Sequence, residues 1–548
     1  MFSLHLLIRI ILFVVIGLMS ACSFTVPSFL EKEFSLQGAE QQQLVPGLTY
    51  FQINRGQASG HFLLNSAVMP LEQANLLIQK LEKFNATVSK APTVQTKSNV
   101  ISTISPVELG PKGNILGQLV TYGQFDTLLQ AQQMQQELDA IGIHFTPTHS
   151  TQRGIGAGKQ EISILKLEPS LFSGKLISAL ANDSVLDLQQ TSKIAQLNDA
   201  VAAVNGGFFA YQAQQGVVGD VAGISVIDGT LVSEAVNGRP ALLIKNTPSL
   251  SVDILENVHS NVEMHIDGQQ FKINGINRQS GKIFNCGQNH GDTAVAAIHD
   301  YVCTELNEII LYNEYFGDLE LILNESEFQF FLDENDKVYF SLPGANKRLP
   351  QGHHLVSASG KYAEILRNII NLSSSVSISQ RIWSNAGELT LAKGMYLING
   401  GPTLLTKAEM PIAQRAVEGW DTAPVNLGSA ATDSRDTNSQ IESLNVSRIN
   451  FYQNWVLQRH PRTAVGVTAA GTVFVVVVYG RDPQRSIGAS VSEMAEIMKG
   501  LGAIKALNLD GGGSSVMVVD GKITGKPSDT NGERSVAEAL LFIAAKKV

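Results

Sequence analysis

The stretch ALNLDGGGSSVMVVDG, residues 506–521, joins two apolar runs through one acid, three glycines and two serines. Short apolar runs on either side of a glycine-rich connection are typical of two β-strands joined by a loop. Glycine adopts positive φ angles and has no Cβ atom, so the backbone N–H groups of such a loop can approach an anion closely. We therefore predict that Asp510 stands at the edge of a loop that binds a negatively charged group.

Two other stretches, VAAVNGGFFA and YLINGGPTLL, repeat this design. In each, an apolar strand ends in a short polar residue, Asn205 or Asn399, and continues into two glycines. One Gly-Gly turn is usually a simple hairpin, but three loops that each begin with Asn or Asp favour a shared pocket. The predicted pocket residues are Asn205, Gly206, Gly207, Phe208, Asn399, Gly400, Gly401, Gly511, Gly512, Gly513, Ser514 and Ser515.

Two arginines can supply the positive charge that an anion pocket needs. Arg462 begins a strand pattern in RHPRTAVGV, and Arg534 lies in NGERSVAEAL. Guanidinium groups match phosphate oxygens in a bidentate geometry. A single arginine at a strand end is usually a solvated surface group, so this role requires that the fold bring both arginines to the glycine loops.

The segments NGGFF, NGGPTLL, HPRTAVGV, ALNLDGGGSSVMVV and ERSVAEAL resemble, in this order, the motifs of the phosphodiester glycosidase family, which includes the uncovering enzyme. The resemblance covers roughly residues 160–548. It implies a hydrolase that cleaves the bond between a sugar and a phosphodiester, as the uncovering enzyme does with N-acetylglucosamine. The motifs do not carry the identity of the sugar, because bacterial relatives meet different glycans.

The chemistry that the resemblance implies gives these residues roles. Cleavage of a sugar C1–O–phosphate bond releases a phosphate monoester, which needs charge stabilisation more than a proton. Arg462, Arg534 and the N–H groups of residues 511–514 suit that task. A carboxylate such as Asp510 can stabilise the oxocarbenium-like state, attack it or activate water. The alternative is that Asp510 only caps its own turn, and the two roles are compatible.

No motif marks the second carboxylate of such a reaction. Glu533, beside Arg534, is the first candidate, and Asp220 is the next. The separation of the two carboxylates decides between retention and inversion at the anomeric carbon, and the sequence leaves both open. The predicted catalytic set is Asp510, Arg462, Arg534 and Glu533.

Several of these residues have a structural alternative. We assign Asn205 and Asn399 to hydrogen bonds with sugar hydroxyls or phosphate, and the alternative is that they only complete their turns. Of Phe208 and Phe209, we expect one near the pocket, where it can stack on a sugar. His460 can act as an acid or base, or it can simply be packed.

The loop LDGGGSS admits two other kinds of chemistry. Ser514 and Ser515 have no base beside them in the sequence, which argues against a serine nucleophile. Asp510 with backbone carbonyls can hold a hard cation, but no Asp-x-Asp-x-Asp pattern marks a calcium loop. We expect neither a metal nor a cofactor.

Composition excludes some functions. The chain has 548 residues, which predicts two to four domains. Its hydrophobic content of 44% and charged content of 16% are those of a globular protein. The net charge of −9, without a cluster of Lys and Arg, argues against nucleic acid as a partner.

The pattern of residues 160–548 predicts an α+β domain, rich in strands, with mixed or antiparallel sheets and few helices. Helical patterns appear at 361–372 and at 491–501, the second capped by Ser490 or Ser492. Residues 416–448 lack periodicity and are predicted to form a long surface loop.

The N-terminus carries an export signal. Residues 1–22 have a weakly basic start, an apolar stretch about half as long as a bilayer requires, and small residues before Cys22. The ending LMSAC resembles a bacterial lipobox, which implies that Cys22 is lipidated and anchors the protein to the outer or inner membrane from the periplasm. The alternative is a plain cleaved signal peptide. Residues 23–45 are polar and are predicted to be a tether.

Residues 46–150 contain two similar units of strand, helix and strand, which predict a small α+β, ferredoxin-like domain. The second unit, LVTYGQFDTLLQAQQMQQELDAIG, resembles the SPOR domain, which implies binding to peptidoglycan. Gln118, Tyr122 and Gln124 lie on or beside its first strand and are candidates to contact a glycan. The alternative is a packing module that binds nothing.

Cys286 and Cys303 are the two cysteines that remain after the signal segment. An oxidising periplasm favours a disulfide between them, and neither has the close spacing of a metal-binding pair. The sequence as a whole therefore predicts a periplasmic hydrolase of sugar-1-phosphodiesters in an envelope or extracellular glycan. The alternative is a lipoprotein that binds glycan or sugar phosphate without turnover.

Overall fold

The computed structural model describes residues 34–88, 102–108, 115–153, 158–236, 238–286, 302–322, 326–340, 348–411, 415, 418–420 and 449–545. The predicted signal segment 1–22, the lipidation site Cys22 and most of the predicted loop 416–448 lie outside the described residues. Among the described helices, none combines the length and apolar character that crossing a bilayer requires.

A seven-stranded antiparallel sheet, sheet 1, forms the centre of the molecule. Its strands in spatial order are Glu40–Val45, Leu48–Arg55, Gln160–Leu167, Val473–Val478, Arg462–Thr468, Ala503–Asn508 and Thr403–Leu405. Val473–Val478 is apolar at every position because both faces are covered. Val473, Val475 and Val477 pack into one core cluster, and Phe474, Val476 and Val478 pack into another.

The predicted helix after residue 490 covers one face of sheet 1. It spans Val491–Gly500, and Met494, Ile497 and Met498 are buried against the sheet. The Ser490 hydroxyl accepts a hydrogen bond from the backbone N–H of Glu493, and the Glu493 carboxylate accepts one from the backbone N–H of Ser490. This capping box fixes the start of the helix.

Two five-stranded sheets lie against the other face of sheet 1 and share its main core cluster. Sheet 2 has the order Lys522–Ile523, Met517–Val519, Ala202–Asn205, Glu538–Ile543 and Lys175–Leu180. Sheet 3 has the order Thr230–Ser233, Ser225–Ile227, Met395–Asn399, Ala241–Lys245 and Ser251–Leu255. The strands that precede the three glycine loops therefore belong to three different sheets.

The remaining strands of the large unit pack on the far side of sheet 3 and at its edges. Sheet 4 comprises Gln269–Ile273, His259–Ile266, Val376–Ser384 and Gly387–Leu389, and sheet 5 comprises Gly275–Ile276, Ile309–Tyr312, His354–Ala358, Phe328–Leu332 and Val338–Tyr339. Two-stranded pairs join Lys282–Phe284 with Val302–Thr304, and Gln189–Gln190 with Ser535–Val536. The strand pair 282–284 and 302–304 carries the disulfide between Cys286 and Cys303, as predicted.

The helices of the large unit are short. Thr191–Leu197 and Gly360–Ile369 are α-helical, and Tyr452–Leu457 is a π-helix. Single 3₁₀ turns occur at Ser150–Arg153, Ala181–Asp183, Leu319–Leu321 and Gly512–Ser514. Many antiparallel strands with few helices confirm the predicted α+β class.

A separate small unit contains sheet 6, with the order Ser102–Glu108, Ile115–Phe125, Phe62–Asn65 and Thr146–His149. Helices Leu71–Val88 and Leu128–Asp139 pack on this sheet around one small core cluster. Tyr122 belongs to that cluster and is 1% exposed, so it is not available to a glycan, contrary to the expectation from the sequence. Gln124 is exposed and Gln118 is half-buried.

Strand pairing divides the chain differently from the predicted boundaries. Glu40–Val45, predicted as the end of a tether, pairs with Leu48–Arg55, which in turn pairs with Gln160–Leu167. Both N-terminal strands thus belong to sheet 1 and not to the small unit that was predicted to begin at residue 46. The period of GLTYFQINRG predicts a strand but does not identify its partner.

We expect Ser490→Ala to lower the free energy of unfolding by about 1 kcal/mol, because the first turn of helix Val491–Gly500 loses its cap. The midpoint of thermal unfolding should fall by about 1 °C, because the unfolding entropy of a chain of this length is large. Ser492→Ala is the matched control, since Ser492 is exposed within the same helix and caps nothing. Equal midpoints for the two variants would contradict this prediction.

Candidate functional site

The three glycine loops meet at one junction of sheets 1, 2 and 3. The backbone N–H of Asp510 donates to the carbonyl of Gly206, at 3.2 Å. The N–H of Gly401 donates to the carbonyl of Asn508, at 2.7 Å, and the Asn508 side chain donates back to the Gly401 carbonyl, at 2.9 Å. The convergence that the sequence predicted is therefore present, and the loops contact each other directly.

Asn205 holds this junction together from inside. It is fully buried, and its Nδ2 donates to the carbonyl of Asp510 at 2.8 Å. Its Oδ1 accepts from the hydroxyl of Thr463 at 2.7 Å and from the N–H of Val516 at 3.3 Å. Both ends of the amide are used within the protein, so the structural alternative applies to Asn205 and we withdraw its assignment to the substrate.

Asn399 has the same kind of role. Its Oδ1 accepts from the N–H of Phe208 at 2.9 Å, and its Nδ2 donates to the Phe208 carbonyl at 3.2 Å. This pair of bonds ties the end of sheet 3 to the loop that leaves sheet 2. Asn399 is 3% exposed, which again favours a structural role over the predicted contact with a sugar.

The glycines of these two loops permit close backbone contact. A Cβ atom on Gly207 would lie 2.4 Å from the carbonyl oxygen of Asn399, and one on Gly400 would lie 2.6 Å from that of Asn508. On Gly206, it would lie 2.5 Å from the Glu538 side chain, and on Gly401, 2.6 Å from the Trp420 ring. These four glycines are therefore required by close packing at the junction, against the other loops, Glu538 and Trp420, and do not form an open anion cradle.

The loop after Asp510 has a different environment. A Cβ on Gly512 would lie 3.1 Å from Arg481 Nη2, and one on Gly513 would lie 2.3 Å from Arg534 Nη2. Arg534 Nε donates to Asp529 at 2.7 Å. This loop thus has two cationic side chains against its backbone, together with the carboxylate of Asp529, which pairs with both.

The predicted use of the loop N–H groups needs correction. The N–H of Gly511 donates to Asp510 Oδ1 at 2.8 Å, and that of Gly512 donates to the carbonyl of Pro461 at 2.9 Å. The N–H groups of Ser514 and Ser515 close the following turn. The arginines, and not these amides, therefore carry the positive charge of the site. The Gly511 bond also shows that Asp510 caps its own turn, as the alternative stated.

Arg462 lies beneath the loop and is 1% exposed. Its Nε donates to the carbonyl of Ala489 at 3.1 Å, its Nη2 donates to that of Trp455, and its guanidinium lies 4.5 Å above the Trp455 ring. Burial, and then the nearby Arg481, lower the pKa of Arg462. An anion bound above the loop would stabilise both charged arginines.

Arg481 is a site residue that the sequence analysis missed. It follows the buried strand Val473–Val478 and keeps 39% of its side chain exposed. Burial and then Arg534, against the opposing effects of Asp529 and Asp510, lower the pKa of Arg481. Arg481 and Arg534 are thus the accessible cations of the site, with Arg462 behind them. The sequence signal that could have revealed Arg481 is its position as a charged residue shortly after the end of an entirely apolar strand.

The predicted second carboxylates lie elsewhere. The Glu533 side chain accepts from the N–H of Ser192 at 2.8 Å and from its hydroxyl at 2.5 Å, in the first turn of helix Thr191–Leu197. Asp220 is buried, and burial followed by Glu234 raises its pKa well above the usual range. Glu533 is thus engaged at the start of this helix and Asp220 lies in the interior, and these contacts give neither carboxylate a role in the reaction.

Glu538 is a second residue that sequence reasoning missed. It is 1% exposed, and its carboxylate accepts from the N–H of Gly207 at 3.1 Å and from the hydroxyl of Ser178 at 2.9 Å. Burial raises the pKa of Glu538 to about 7. The backbone carbonyl of Glu538 also accepts a hydrogen bond from the N–H of Gly206, so Glu538 holds the backbone of the loop after Asn205 in place.

An aromatic cluster borders Arg462. Phe208 lies 5.6 Å from Trp420 and 6.3 Å from Trp455, measured between ring centroids, and the two indoles stack at 5.0 Å. Phe209 instead packs in the core beneath sheet 2. Phe208 therefore belongs to the cluster beside Arg462 and Phe209 does not, but both rings are only 6% exposed, so the stacking of either on a sugar stays a prediction.

His460 and the two serines complete the set of predicted residues. His460 Nε2 lies 2.5 Å from the carbonyl of Asn454, and burial, with Arg462 as the next cause, lowers its pKa to about 3. It is therefore neutral, which fits the packed alternative. Ser514 and Ser515 are 1% exposed, and neither hydroxyl has a hydrogen-bond partner in the part of the chain that the structure describes, which argues against an activated serine nucleophile. Within the described ranges, no three His, Cys, Asp or Glu side chains are grouped as metal ligands.

Part of the candidate site lies in a region of the chain that matches a known protein family. Residues 376–543 match the family model described as phosphodiester glycosidase, so this part of the chain is a phosphodiester glycosidase family domain. The matched residues include Arg462, Arg481, Asp510, Arg534 and Glu538. The loop that begins at Asn205 lies outside the match.

Individual relatives agree with that assignment over short stretches. An uncharacterised prophage-derived protein of Bacillus subtilis is 40% identical over 82 residues, which are 15% of this chain and 12% of the relative. The mouse N-acetylglucosamine-1-phosphodiester alpha-N-acetylglucosaminidase is 34% identical over 89 residues, or 16% of this chain and 17% of the relative. The chain thus matches less than a fifth of the length of these curated relatives.

The fold is similar to one solved structure over nearly its whole length. A crystal structure of a Burkholderia pseudomallei protein superposes with a TM-score of 0.75 at 27% identity, covering 92% of this chain and 97% of the other. The similarity in fold thus extends over much more of the chain than the family match of residues 376–543.

We expect Gly207→Ala to destabilise the junction, because the new Cβ would overlap the backbone and side chain of Asn399. Overpacking of this kind lowers the free energy of unfolding by roughly 1–3 kcal/mol. Gly502→Ala serves as the comparison for backbone strain without overlap, since an alanine at its positive φ of 85° is strained but meets open space. Thermal unfolding of both variants checks the difference, and a smaller loss for Gly207→Ala than for Gly502→Ala would contradict it.

Glu538→Gln should change how stability depends on pH. Because burial raises the pKa of Glu538 from 4.5 to about 7, its contribution is complete below about pH 4.5 and is lost as the pH rises through about 7. Relative to the Gln variant, the wild type should therefore lose up to about 3 kcal/mol of stability between about pH 4.5 and pH 8. Denaturation at several pH values measures this, and a pH-independent difference would refute it.

Proposed function

We propose that this protein is a hydrolase that cleaves the glycosidic bond of a sugar-1-phosphodiester. The observation that carries the proposal is the charge around one loop: Arg481 and Arg534 lie against Gly512 and Gly513, and Asp510 opens the loop. A phosphodiester fits accessible guanidinium groups, which bind its oxygens in a bidentate manner. The family match of residues 376–543 and the sugar-1-phosphodiester that gives the mouse relative its name support the same chemistry.

Two charges develop in the transition state, a negative one on the phosphate and a positive one on the sugar, and different residues stabilise each. As the C1–O bond breaks, its electron pair stays with the phosphate oxygen, and Arg481 and Arg534 stabilise the negative charge on the departing phosphate monoester. Arg462 adds positive potential from beneath the loop. Asp510 stabilises the oxocarbenium-like sugar, and water adds its oxygen at C1 and releases one proton to the departing phosphate or to solvent.

We also propose where the enzyme works. The export signal in residues 1–22, with lipidation at Cys22, would hold it to a membrane on the periplasmic side. The disulfide between Cys286 and Cys303 suits an oxidising compartment. The SPOR-like sequence of the small unit, with Gln124 exposed, supports contact with peptidoglycan near an envelope glycan substrate.

A second candidate function is a lipoprotein that binds a glycan or sugar phosphate without turnover. It is favoured by the hydrogen bonds of Glu533 to Ser192, which remove the predicted second carboxylate from the site. The two functions separate in one experiment. The protein without residues 1–22 is incubated with the 4-nitrophenyl phosphodiester of N-acetylglucosamine 1-phosphate and with UDP-N-acetylglucosamine, and the released sugar and its anomer are followed by NMR.

Release of free sugar supports the hydrolase. Tight binding by calorimetry without release, for both substrates, supports the binding protein and contradicts our proposal. An added arm with EDTA addresses the cation alternative at Asp510, because a hard metal in the loop would make turnover sensitive to the chelator.

We predict that Asp510→Asn reduces kcat by at least about 10³-fold with an unchanged unfolding midpoint, because Asn retains the acceptor for the Gly511 N–H. Arg481→Ala should reduce kcat/KM by about 10²-fold through the loss of one charge-stabilising donor. Arg485→Ala is the matched control: it lies on the same loop but pairs with Glu161, and kcat/KM should stay within about twofold. Equal losses for the two arginine variants would contradict the assignment.

A further inference from the structure

The segment 449–459, which contains the π-helix Tyr452–Leu457, lies between the small unit and the candidate site. A π-helix inserts extra residues into a turn and is uncommon outside functional regions. On one side the segment contacts the small unit and on the other it contacts the arginine beneath the glycine loop. The contacts on each side are specific.

The small unit holds the start and the end of the π-helix. The backbone N–H of Val68 donates to Asn450 Oδ1 at 2.9 Å. Val68 and Leu119 are buried and pack with Ile449 and Leu457, which lie before the helix and at its end. The two helices of the small unit cover one face of sheet 6, and the contact with the segment 449–459 lies on the opposite face.

The turn that follows the small unit holds the segment again, three residues before Arg462. The N–H of Arg459 donates to the carbonyl of Gln152 and its Nη1 donates to that of Thr151, both at 2.8 Å. Arg459 is fully buried and forms an ion pair with Glu493 at 2.5 Å. A buried pair of this kind has a fixed geometry, because each charge requires its partner.

The opposite side of the segment holds the base of the site. Arg462 Nη2 donates to the carbonyl of Trp455 and, at 3.4 Å, to the carbonyl of Gln458. The Trp455 ring lies under the guanidinium. The carbonyl of Asn454 accepts a hydrogen bond from the imidazole of His460. Directly after His460, the carbonyl of Pro461 accepts from Gly512 in the anion loop.

We propose that the small unit positions Arg462 and the floor of the anion loop through the segment 449–459, so that it forms a working part of the hydrolase. Asn450, Val68 and Leu119 are then positioning residues, which act through Arg462 without touching the substrate. Any ligand that shifts the small unit would change the rate of hydrolysis through this same path. The kinetic part of this inference rests on the proposed function.

The test compares Asn450→Leu with Asn450→Asp in the protein without residues 1–22. Leu removes the acceptor for the Val68 N–H, whereas Asp retains it. Leu119→Ala is a second variant, which removes packing from the same contact. Leu81→Ala is the control: it weakens the core of the small unit on its other side and leaves the contact intact.

The first readout needs no turnover. The rate at which phenylglyoxal modifies Arg462 is followed by peptide mass spectrometry, and the buried guanidinium should be protected in the wild type. We expect at least about fivefold faster modification in Asn450→Leu and Leu119→Ala, and wild-type rates in Asn450→Asp and Leu81→Ala. Unchanged protection of Arg462 in both contact variants would overturn the proposal, whether or not the protein hydrolyses a phosphodiester.

The second readout is the split between kcat and KM on the 4-nitrophenyl substrate. Misplacement of Arg462 should lower kcat by about tenfold and leave KM within about twofold, because its charge acts on the transition state. A general loss of folded protein would lower the amount of active enzyme in Leu81→Ala as much as in Asn450→Leu, and that result would overturn the proposal. If the wild type shows no turnover, that result counts against the proposed hydrolase function alone. The rates at which phenylglyoxal modifies Arg462 would still test whether the small unit positions this residue.

Discussion

The buried amide of Asn205 is the interaction on which the site depends. It lies at the end of a sheet 2 strand, bonds a sheet 1 threonine and holds the backbone of Asp510. A fully buried amide without partners would cost several kcal/mol, so its bonds are satisfied only when sheets 1 and 2 take one relative position. The close backbone contacts of Gly207 and Gly400 add sheet 3 to the same arrangement. The contacts within the protein thus fix the relative positions of the three sheets without a ligand.

The sequence allowed the convergence of the loops to be predicted, because an apolar run that ends in Asn or Asp and glycine is a local signal. It also allowed the helix at 491–500 and the class of fold to be predicted. It did not reveal whether the polar groups of Asn205 and Asn399 face a ligand or the protein. That choice depends on residues such as Thr463 and Val516, which are distant in the chain and carry no local mark.

Arg481 and Glu538 escaped prediction for a related reason. Each is a single charged residue next to apolar strand sequence, where its function depends on the neighbouring strands. The strands Glu40–Val45 and Leu48–Arg55 were likewise recognisable by pattern, while their place in sheet 1 follows from pairing with Gln160–Leu167. Local periodicity indicates an element, and only the partners across space determine what the element does.

The pairing of Ala202–Asn205 with Glu538–Ile543 has a consequence for the order of events during synthesis. Gly207 and the carboxylate that supports it are 331 residues apart in the chain. Contacts of such long range form late and slowly. A chain whose synthesis has not reached Glu538 therefore lacks the carboxylate that holds the Gly207 loop, so the junction of the three glycine loops assembles only after nearly all of the chain has been made.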